Sequence, residues 1–190
     1  MTLNSKTTAR PLAIFVLAGA LAYCGSPDPA IRTVRIYDLL AALPRAVVDK
    51  PDVEWVAVAD RTVIVGGQER RALFLHPRSV VTFPAVEVGD NAVLTCAIGV
   101  EDKAWDKDGD GVEFIVQVKL STGAVVNVFS RYINPKANEA ERHWIDLRIP
   151  LGGFAGQRIE IILATNPGPA GDTAFDWAVW ADPRVVLDPM

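Results

Sequence analysis

The sequence is poor in the side chains that most catalytic and metal-binding sites require. It has only two cysteines and two histidines in 190 residues. Two cysteines are too few for a disulfide framework, and Cys96, between Leu94 and Ile98, is predicted to be a buried free thiol. Neither His76 nor His143 has a nucleophile or metal-ligand motif beside it, so both are expected at the surface or on a rim. The scarcity argues against an enzyme.

A cluster of positive charge is also missing. Lys and Arg total 19 against 23 Asp and Glu, a net charge of −4. This balance argues against a nucleic-acid partner, because such proteins usually neutralise phosphates with basic patches. An apolar content of 50% with 22% charged residues excludes a disordered chain. The length fits one domain with a short appendage.

The N-terminus has the layout of a targeting segment. Lys6 and Arg10 precede residues 11–24, which contain no charged side chain. This apolar run is shorter than the ~20 residues of a typical transmembrane helix and is typical of a bacterial export signal. Residues 1–25 are therefore predicted to be an export signal or membrane anchor. Three outcomes stay open: lipidation at Cys24, retention as an uncleaved anchor, or cleavage after Ala22. All three place the folded domain outside the cytoplasm, on the periplasmic or cell-surface side.

The segment after the anchor is predicted to be a tether, residues 26–50, with one short helix. Within residues 36–47, Leu39 and Leu40 fall on one helical face with Leu43, and Asp38 is placed to cap the start. Pro44 limits the helix length.

Residues 51–190 are predicted to form an all-β domain. From residue 53 onward the apolar residues recur mostly with a period of two, in roughly nine or ten short runs separated by turn residues. Gly66-Gly67 predicts a hairpin, because both glycines tolerate positive φ. Phe83-Pro84 predicts an edge strand or a bulged one. Spacing of this kind favours an antiparallel two-sheet β-sandwich over a parallel α/β sheet.

One acidic loop matches the first half of a calcium-binding loop. Asp106, Asp108 and Asp110 occupy its positions 1, 3 and 5, and Gly111 occupies position 6. Position 12 is Gln117 rather than glutamate, and a strand follows, so a helical EF-hand is excluded. A simpler calcium loop, completed by a backbone oxygen or by a nearby carboxylate, and a solvated Asp/Gly turn both remain open.

Residues 130–144 are predicted to be the ligand or partner surface. They combine aromatic and planar polar side chains, namely Arg131, Tyr132, Asn134, Arg142 and Trp144. Such residues suit sugar stacking, and they also anchor protein interfaces. The alternative is an ordinary long loop whose aromatics pack back on the sandwich. Trp177 and Trp180 lie three residues apart, so one is expected in the core and the other beneath the 166–172 loop.

Three segments of the second half carry a family resemblance. They are Gly109-Asp-Gly-Val-x-Phe-x-Val-x-Val118, Leu151-Gly-Gly-Phe-Ala-Gly-Gln157 and Asp176-Trp-Ala-x-Trp-Ala-x-Pro183. Their order resembles the jelly-roll, galactose-binding-like domains found as bacterial carbohydrate-binding modules. The resemblance implies a two-sheet sandwich and a non-catalytic domain, and it does not by itself imply sugar binding.

Two functions follow from these observations. The first is a membrane-tethered, non-catalytic structural or protein-interaction subunit of an envelope complex, with another envelope or membrane protein as its partner. The alternative is a free-standing carbohydrate-binding module with a glycan as its ligand. No cofactor is expected beyond a structural calcium ion.

Overall fold

Strands dominate the computed structural model, which describes residues 35–187. In that range twelve strands accompany one short helix, α1 (Leu39–Ala42). The strands are β1 (Arg35–Asp38), β2 (Val47–Asp49), β3 (Val58–Val65), β4 (Gln68–Leu75), β5 (Ser79–Thr82), β6 (Val86–Glu87), β7 (Val93–Val100), β8 (Val112–Leu120), β9 (Val125–Ile133), β10 (Ile145–Pro150), β11 (Arg158–Pro167) and β12 (Ala178–Leu187).

The strands form two antiparallel sheets. Sheet A has the order β10-β7-β12-β4-β3, with β1 also paired to β12. Sheet B has the order β2-β5-β11-β8-β9, with β6 also paired to β11. Apart from the β3–β4 and β8–β9 hairpins, neighbouring strands in each sheet are distant in sequence, which is the pattern of a jelly roll. The predicted all-β sandwich is confirmed.

The main core lies between the two sheets. Along β8, Val112, Phe114, Val116 and Val118 are fully buried while the residues between them are partly exposed. From sheet A, Trp180 packs edge-on against Phe114, with ring centroids 5.2 Å apart. Trp180 is thus the core member of the tryptophan pair. Cys96 is a buried free thiol as predicted, and burial raises its pKa to about 12.

The tip of the β3–β4 hairpin, at the edge of sheet A, curls back over the outer face of that sheet. Gly66 and Gly67 have φ values of +61° and +71°, which confirms the predicted tight turn. The hairpin approaches the sheet closely, since a Cβ on Gly99 of β7 would lie 2.9 Å from the Val65 side chain. Trp144 fills the same layer and donates from Nε1 to the Gln68 carbonyl at 2.9 Å. A second, smaller apolar cluster therefore lies outside the sandwich core.

The N-terminal part of the described chain belongs to the sandwich, which corrects the predicted tether. The helix spans only Leu39–Ala42, followed by a 3₁₀ turn that contains Pro44. Asp38 caps it as predicted, by accepting from the Ala41 amide at 3.1 Å. Leu39 and Leu40 are buried in the core. Because β1 pairs with β12 in sheet A and β2 pairs with β5 in sheet B, the domain begins well before residue 51.

Two local strand predictions also differ from the structure. Residues 51–57 contain no strand, and β3 begins at Val58. At Phe83-Pro84 the chain divides into β5 and β6, and β5 is not an edge because β2 pairs with it. Proline interrupts the ladder because it has no N–H to donate.

The predicted export signal or anchor and Cys24 lie outside the described residues. Within residues 35–187, no helix combines the length and the apolar character that a membrane span needs.

Candidate functional site

A cleft of about 710 Å³ opens on the outer face of sheet A, beside the hairpin layer. Its walls come from the segment before β3, from β3 and β4, from the turn after β7 and from the loop before β12. It is of the size typical of small-molecule sites. The cleft is the candidate functional site.

The floor of the cleft combines a guanidinium group with an aromatic ring. Arg61 on β3 and Phe74 on β4 both point outward from sheet A, and the Arg61 Cζ lies 3.9 Å from the Phe74 ring centroid. Glu101, just after β7, forms a salt bridge with Arg61. The guanidinium is held by a ring and a carboxylate, so its remaining N–H groups are fixed in direction.

One wall is built from Trp55 and His76. Their ring centroids are 4.3 Å apart in an edge-on contact. His76 is buried, and its Nδ1 lies 2.7 Å from the Pro77 carbonyl oxygen. Desolvation lowers the His76 pKa below its usual value, so the ring is neutral at pH 7. Trp55 is 48% exposed, so about half of its side chain is open to solvent. His76 was expected at the surface or on a rim; it lines the cleft, but its side chain is buried and supports Trp55.

A second wall of the cleft is formed by the loop before β12. Phe175 is 40% exposed and lies 6.0 Å, centroid to centroid, from Trp177. Phe175 has a φ of +54°, a conformation that costs a non-glycine residue about 1–2 kcal/mol. The Glu101 amide donates to the Trp177 carbonyl at 3.1 Å, which ties the loop to the end of β7. The loop therefore presents its aromatic rings from a constrained backbone.

A buried ion pair supports this loop from behind. The Lys136 ammonium donates to the carbonyls of Asp108 at 2.7 Å and Ala174 at 3.0 Å, and it lies 3.3 Å from Asp176 Oδ1. The Asp176 residue is fully buried, and the Lys136 side chain is 7% exposed. Burial raises the pKa of Asp176 to about 7, and the Lys136 charge offsets part of that effect. Lys136 thus ties the acidic loop, the 134–144 segment and the cleft wall together.

The acidic loop does not gather its three carboxylates around one point. The Asp110 carboxylate accepts from the Ala170 amide, and the Asp110 carbonyl accepts from the Tyr132 hydroxyl. Asp106 and Asp108 are exposed. Among the described residues, no group of three or more His, Cys, Asp or Glu side chains is placed to hold a metal ion. A calcium ion bound by Asp106, Asp108 and Asp110 stays a prediction.

The predicted ligand surface at residues 130–144 is not assembled as expected. Trp144 is only 5% exposed and packs in the outer cluster of sheet A, so it cannot offer a ring face to a ligand. Arg142 donates from Nε to the Pro135 carbonyl at 2.9 Å and lies over the Trp105 ring. The Asn134 side-chain oxygen accepts from the Ala137 amide at 3.3 Å. These three residues hold the loop together, which is the alternative that the sequence left open.

The other two predicted residues lie on a different sheet. Arg131 and Tyr132 are exposed on β9, the edge strand of sheet B, whereas Trp144 packs on the outer face of sheet A. Since adjacent residues of a strand point to opposite sides, Arg131 and Tyr132 do not share a face.

Sequence reasoning missed most of the cleft. Trp55, Arg61, Phe74 and Phe175 come from three separated segments and share no motif. Among the lining residues, sequence reasoning singled out His76, without a functional role, and Trp177, as an aromatic residue placed near a loop. The available signal was the pair of aromatics, Phe175 and Trp177, in a short loop between two strands.

Solved structures with this architecture include carbohydrate-binding modules. The CBM51 of Clostridium perfringens GH95, in complex with methyl-galactose, superposes with a TM-score of 0.54 at 13% identity, covering 80% of this chain and 99% of that one. The CBM51-2 and INT domains of Clostridium perfringens ZmpB, in complex with GlcNAc, give 0.52 at 14% identity, covering 81% and 32%. The K1 cleaved adhesin domain of the Porphyromonas gingivalis Lys-gingipain gives 0.51 at 12% identity, covering 83% and 99%.

These similarities establish the fold. The chain has a jelly-roll fold similar to that of these modules, as its three sequence segments predicted. No protein-family profile matches the chain. An uncharacterized protein of Archaeoglobus fulgidus is 40% identical over 119 residues, covering 60% of this chain and 30% of that protein. The matched part thus spans less than a third of the relative.

Proposed function

We propose that this domain is a non-catalytic carbohydrate-binding domain and that its ligand lies in the cleft on the outer face of sheet A. One observation carries the proposal. The cleft places two exposed aromatic residues, Trp55 and Phe175, around an Arg61–Glu101 pair. Aromatic faces and fixed planar polar groups occur together where both faces and edges of a ligand must be recognised.

The chemistry of a sugar ring fits this arrangement. A pyranose has an apolar face of C–H groups, which the electron-rich face of an aromatic ring attracts. Its hydroxyl groups are both donors and acceptors. Arg61 can donate to a hydroxyl oxygen, and Glu101 can accept from a neighbouring hydroxyl. Because the two side chains already pair with each other, the site needs little reordering on binding.

The fold neighbours support the same function. Two of the solved structures are carbohydrate-binding modules, described in complex with methyl-galactose and with GlcNAc. Because their sequence identity to this chain is low, the similarity supports only the fold. The ligand assignment proposed here therefore depends on the cleft residues.

A glycan array, followed by calorimetry on its hits, tests the proposal with the full chain. Trp55→Ala should weaken binding at least about tenfold, because loss of one stacking aromatic typically costs 2 kcal/mol or more at a binding hot spot. Tyr132→Ala is the matched control, since Tyr132 is a similarly exposed aromatic (44%) outside the cleft. Both variants must unfold near the parent temperature. Binding that survives Trp55→Ala but is lost in Tyr132→Ala would move the site to β9.

A second candidate is the structural or protein-interaction subunit, tethered to a membrane through residues 1–25 and exposed outside the cytoplasm. It is favoured by strand β9, an edge strand on which Val125 and Val126 are 50% and 39% exposed. Edge strands readily pair with another chain. Blue-native electrophoresis of detergent-solubilised membranes tests this role, and migration at the monomer mass alone would contradict it.

A further inference from the structure

The charges of the side chains that line the cleft do not sum to zero. Four titratable side chains line it: Arg61, His76, Glu101 and Lys103. Arg61 and Glu101 neutralise each other in a salt bridge. His76 is neutral at pH 7, because burial lowers its pKa. Lys103 is exposed and makes no salt bridge to another residue between 35 and 187. The lining therefore carries one uncompensated positive charge.

The backbone that carries Lys103 is held on both sides. Lys103 lies in a 3₁₀ turn, Asp102–Ala104, directly after β7. The Asp102 carboxylate accepts from the amides of Gly66 at 2.7 Å and Gly67 at 3.2 Å, which fastens the turn to the hairpin tip. On the other side, the Glu101 amide donates to the Trp177 carbonyl. These contacts keep the backbone of Lys103 at the wall of the cleft.

The sign of this charge is opposite to that of the whole chain. The protein has a net charge of −4, so a positive lining is a local exception. The neighbouring Asp102 carboxylate is committed to the Gly66 and Gly67 amides. A neutral sugar would therefore leave the Lys103 ammonium without an ion-pair partner, whereas an anionic group in the cleft would provide one. Charge of this kind sets which ligands are accepted more than how tightly they bind.

We propose that the cleft takes an anionic glycan, one whose sugar ring carries a carboxylate or a sulfate ester, and that Lys103 binds this group. The inference rests on the proposed carbohydrate-binding function and narrows its ligand class. The aromatic residues bind the ring of the sugar, while Lys103 distinguishes charged sugars from neutral ones of the same stereochemistry.

The test is an array of matched glycans, in which each neutral sugar is printed beside its uronic acid and its sulfate ester. The probes are the full chain and three variants, Lys103→Met, Lys103→Arg and Lys107→Met. Lys107 is the control, because it is an exposed lysine on the same loop but outside the cleft. We expect the charged members to bind better, and we expect Lys103→Met to weaken them about fivefold, the upper range for an exposed ion pair.

The other variants and the salt response complete the expectation. Lys103→Arg and Lys107→Met should keep the preference, and added salt should reduce it by screening. The uronic-acid and sulfate arms identify which anion is preferred. Equal binding of neutral and charged members, with a Trp55→Ala effect intact, would overturn the anionic ligand and leave the carbohydrate-binding function standing. Absence of any binding that depends on Trp55 would overturn both.

Discussion

Replacement of Lys136 by methionine should cost this domain more stability at pH 8 than at pH 5. The Lys136 ammonium satisfies the Asp108 and Ala174 carbonyls and faces the fully buried Asp176 carboxyl. Methionine keeps much of the side-chain volume and removes the three donors and the charge. The variant isolates the buried interaction that supports the cleft wall.

The stability of the parent protein also depends on pH through the Asp176 carboxyl. Burial raises the folded-state pKa of Asp176 from 3.8 to about 7. Between these values the folded state binds the proton more tightly than the unfolded state does. Stability from this group is therefore fully present below pH 4 and is lost as the pH rises through about 7. The difference between the two pKa values corresponds to about 4 kcal/mol.

The cost of Lys136→Met should differ on the two sides of this range. At pH 5 the Asp176 carboxyl is mostly protonated in the folded parent, so the variant loses mainly the two carbonyl contacts, about 1–3 kcal/mol. At pH 8 the carboxyl is mostly ionised and paired with Lys136. Without Lys136 the buried carboxyl takes up a proton at pH 8, and because its parent pKa is about 7, this uptake adds about 1.4 kcal/mol to the cost at pH 5.

Urea unfolding at pH 5 and pH 8 measures both costs. Asp176→Asn is the matched variant, because it keeps the shape and removes the titration, and in that background the Lys136→Met cost should no longer depend on pH. A cost that is equal at pH 5 and pH 8 in the parent background, or below ~1 kcal/mol at pH 8, would refute the reasoning.

Three further outcomes follow from the structure. Trp144→Ala should destabilise the domain by about 3–5 kcal/mol, because it removes a buried aromatic side chain from the outer cluster of sheet A. Ligand affinity below the unfolding temperature should stay within about twofold, because Trp144 does not line the cleft. Calorimetry measures the two effects separately. A chain begun at Asp49 should lose cooperative thermal unfolding, since it lacks β1 and the buried Leu39 and Leu40, whereas a chain begun at residue 32 should keep it. Excess calcium should leave the unfolding temperature unchanged, because the Asp110 carboxylate accepts from the Ala170 amide and the described residues place no three carboxylates around one point. A rise in unfolding temperature that Asp108→Asn abolishes would establish the calcium loop.

The sequence by itself determined the architecture. Alternation of buried and exposed residues, as along β8, is a local property that follows from the two-residue period of a strand. The Gly66-Gly67 turn was likewise predictable, because positive φ at two successive positions strongly favours glycine. The closing segment with Trp177 and Trp180 identified the jelly roll, although it did not show which tryptophan faces the core.

Only the tertiary structure decided where the candidate site lies. Trp144 reads in the sequence as an exposed loop aromatic, yet the β3–β4 hairpin folds over sheet A and covers it. The cleft brings together Trp55, Arg61 and Phe175 from segments more than a hundred residues apart at the extremes. Nothing in the local pattern of any one segment marks these residues, because their proximity is created by strand pairing between distant parts of the chain. The same long-range pairing placed residues 35–49 in the two sheets, where local reasoning had predicted a tether.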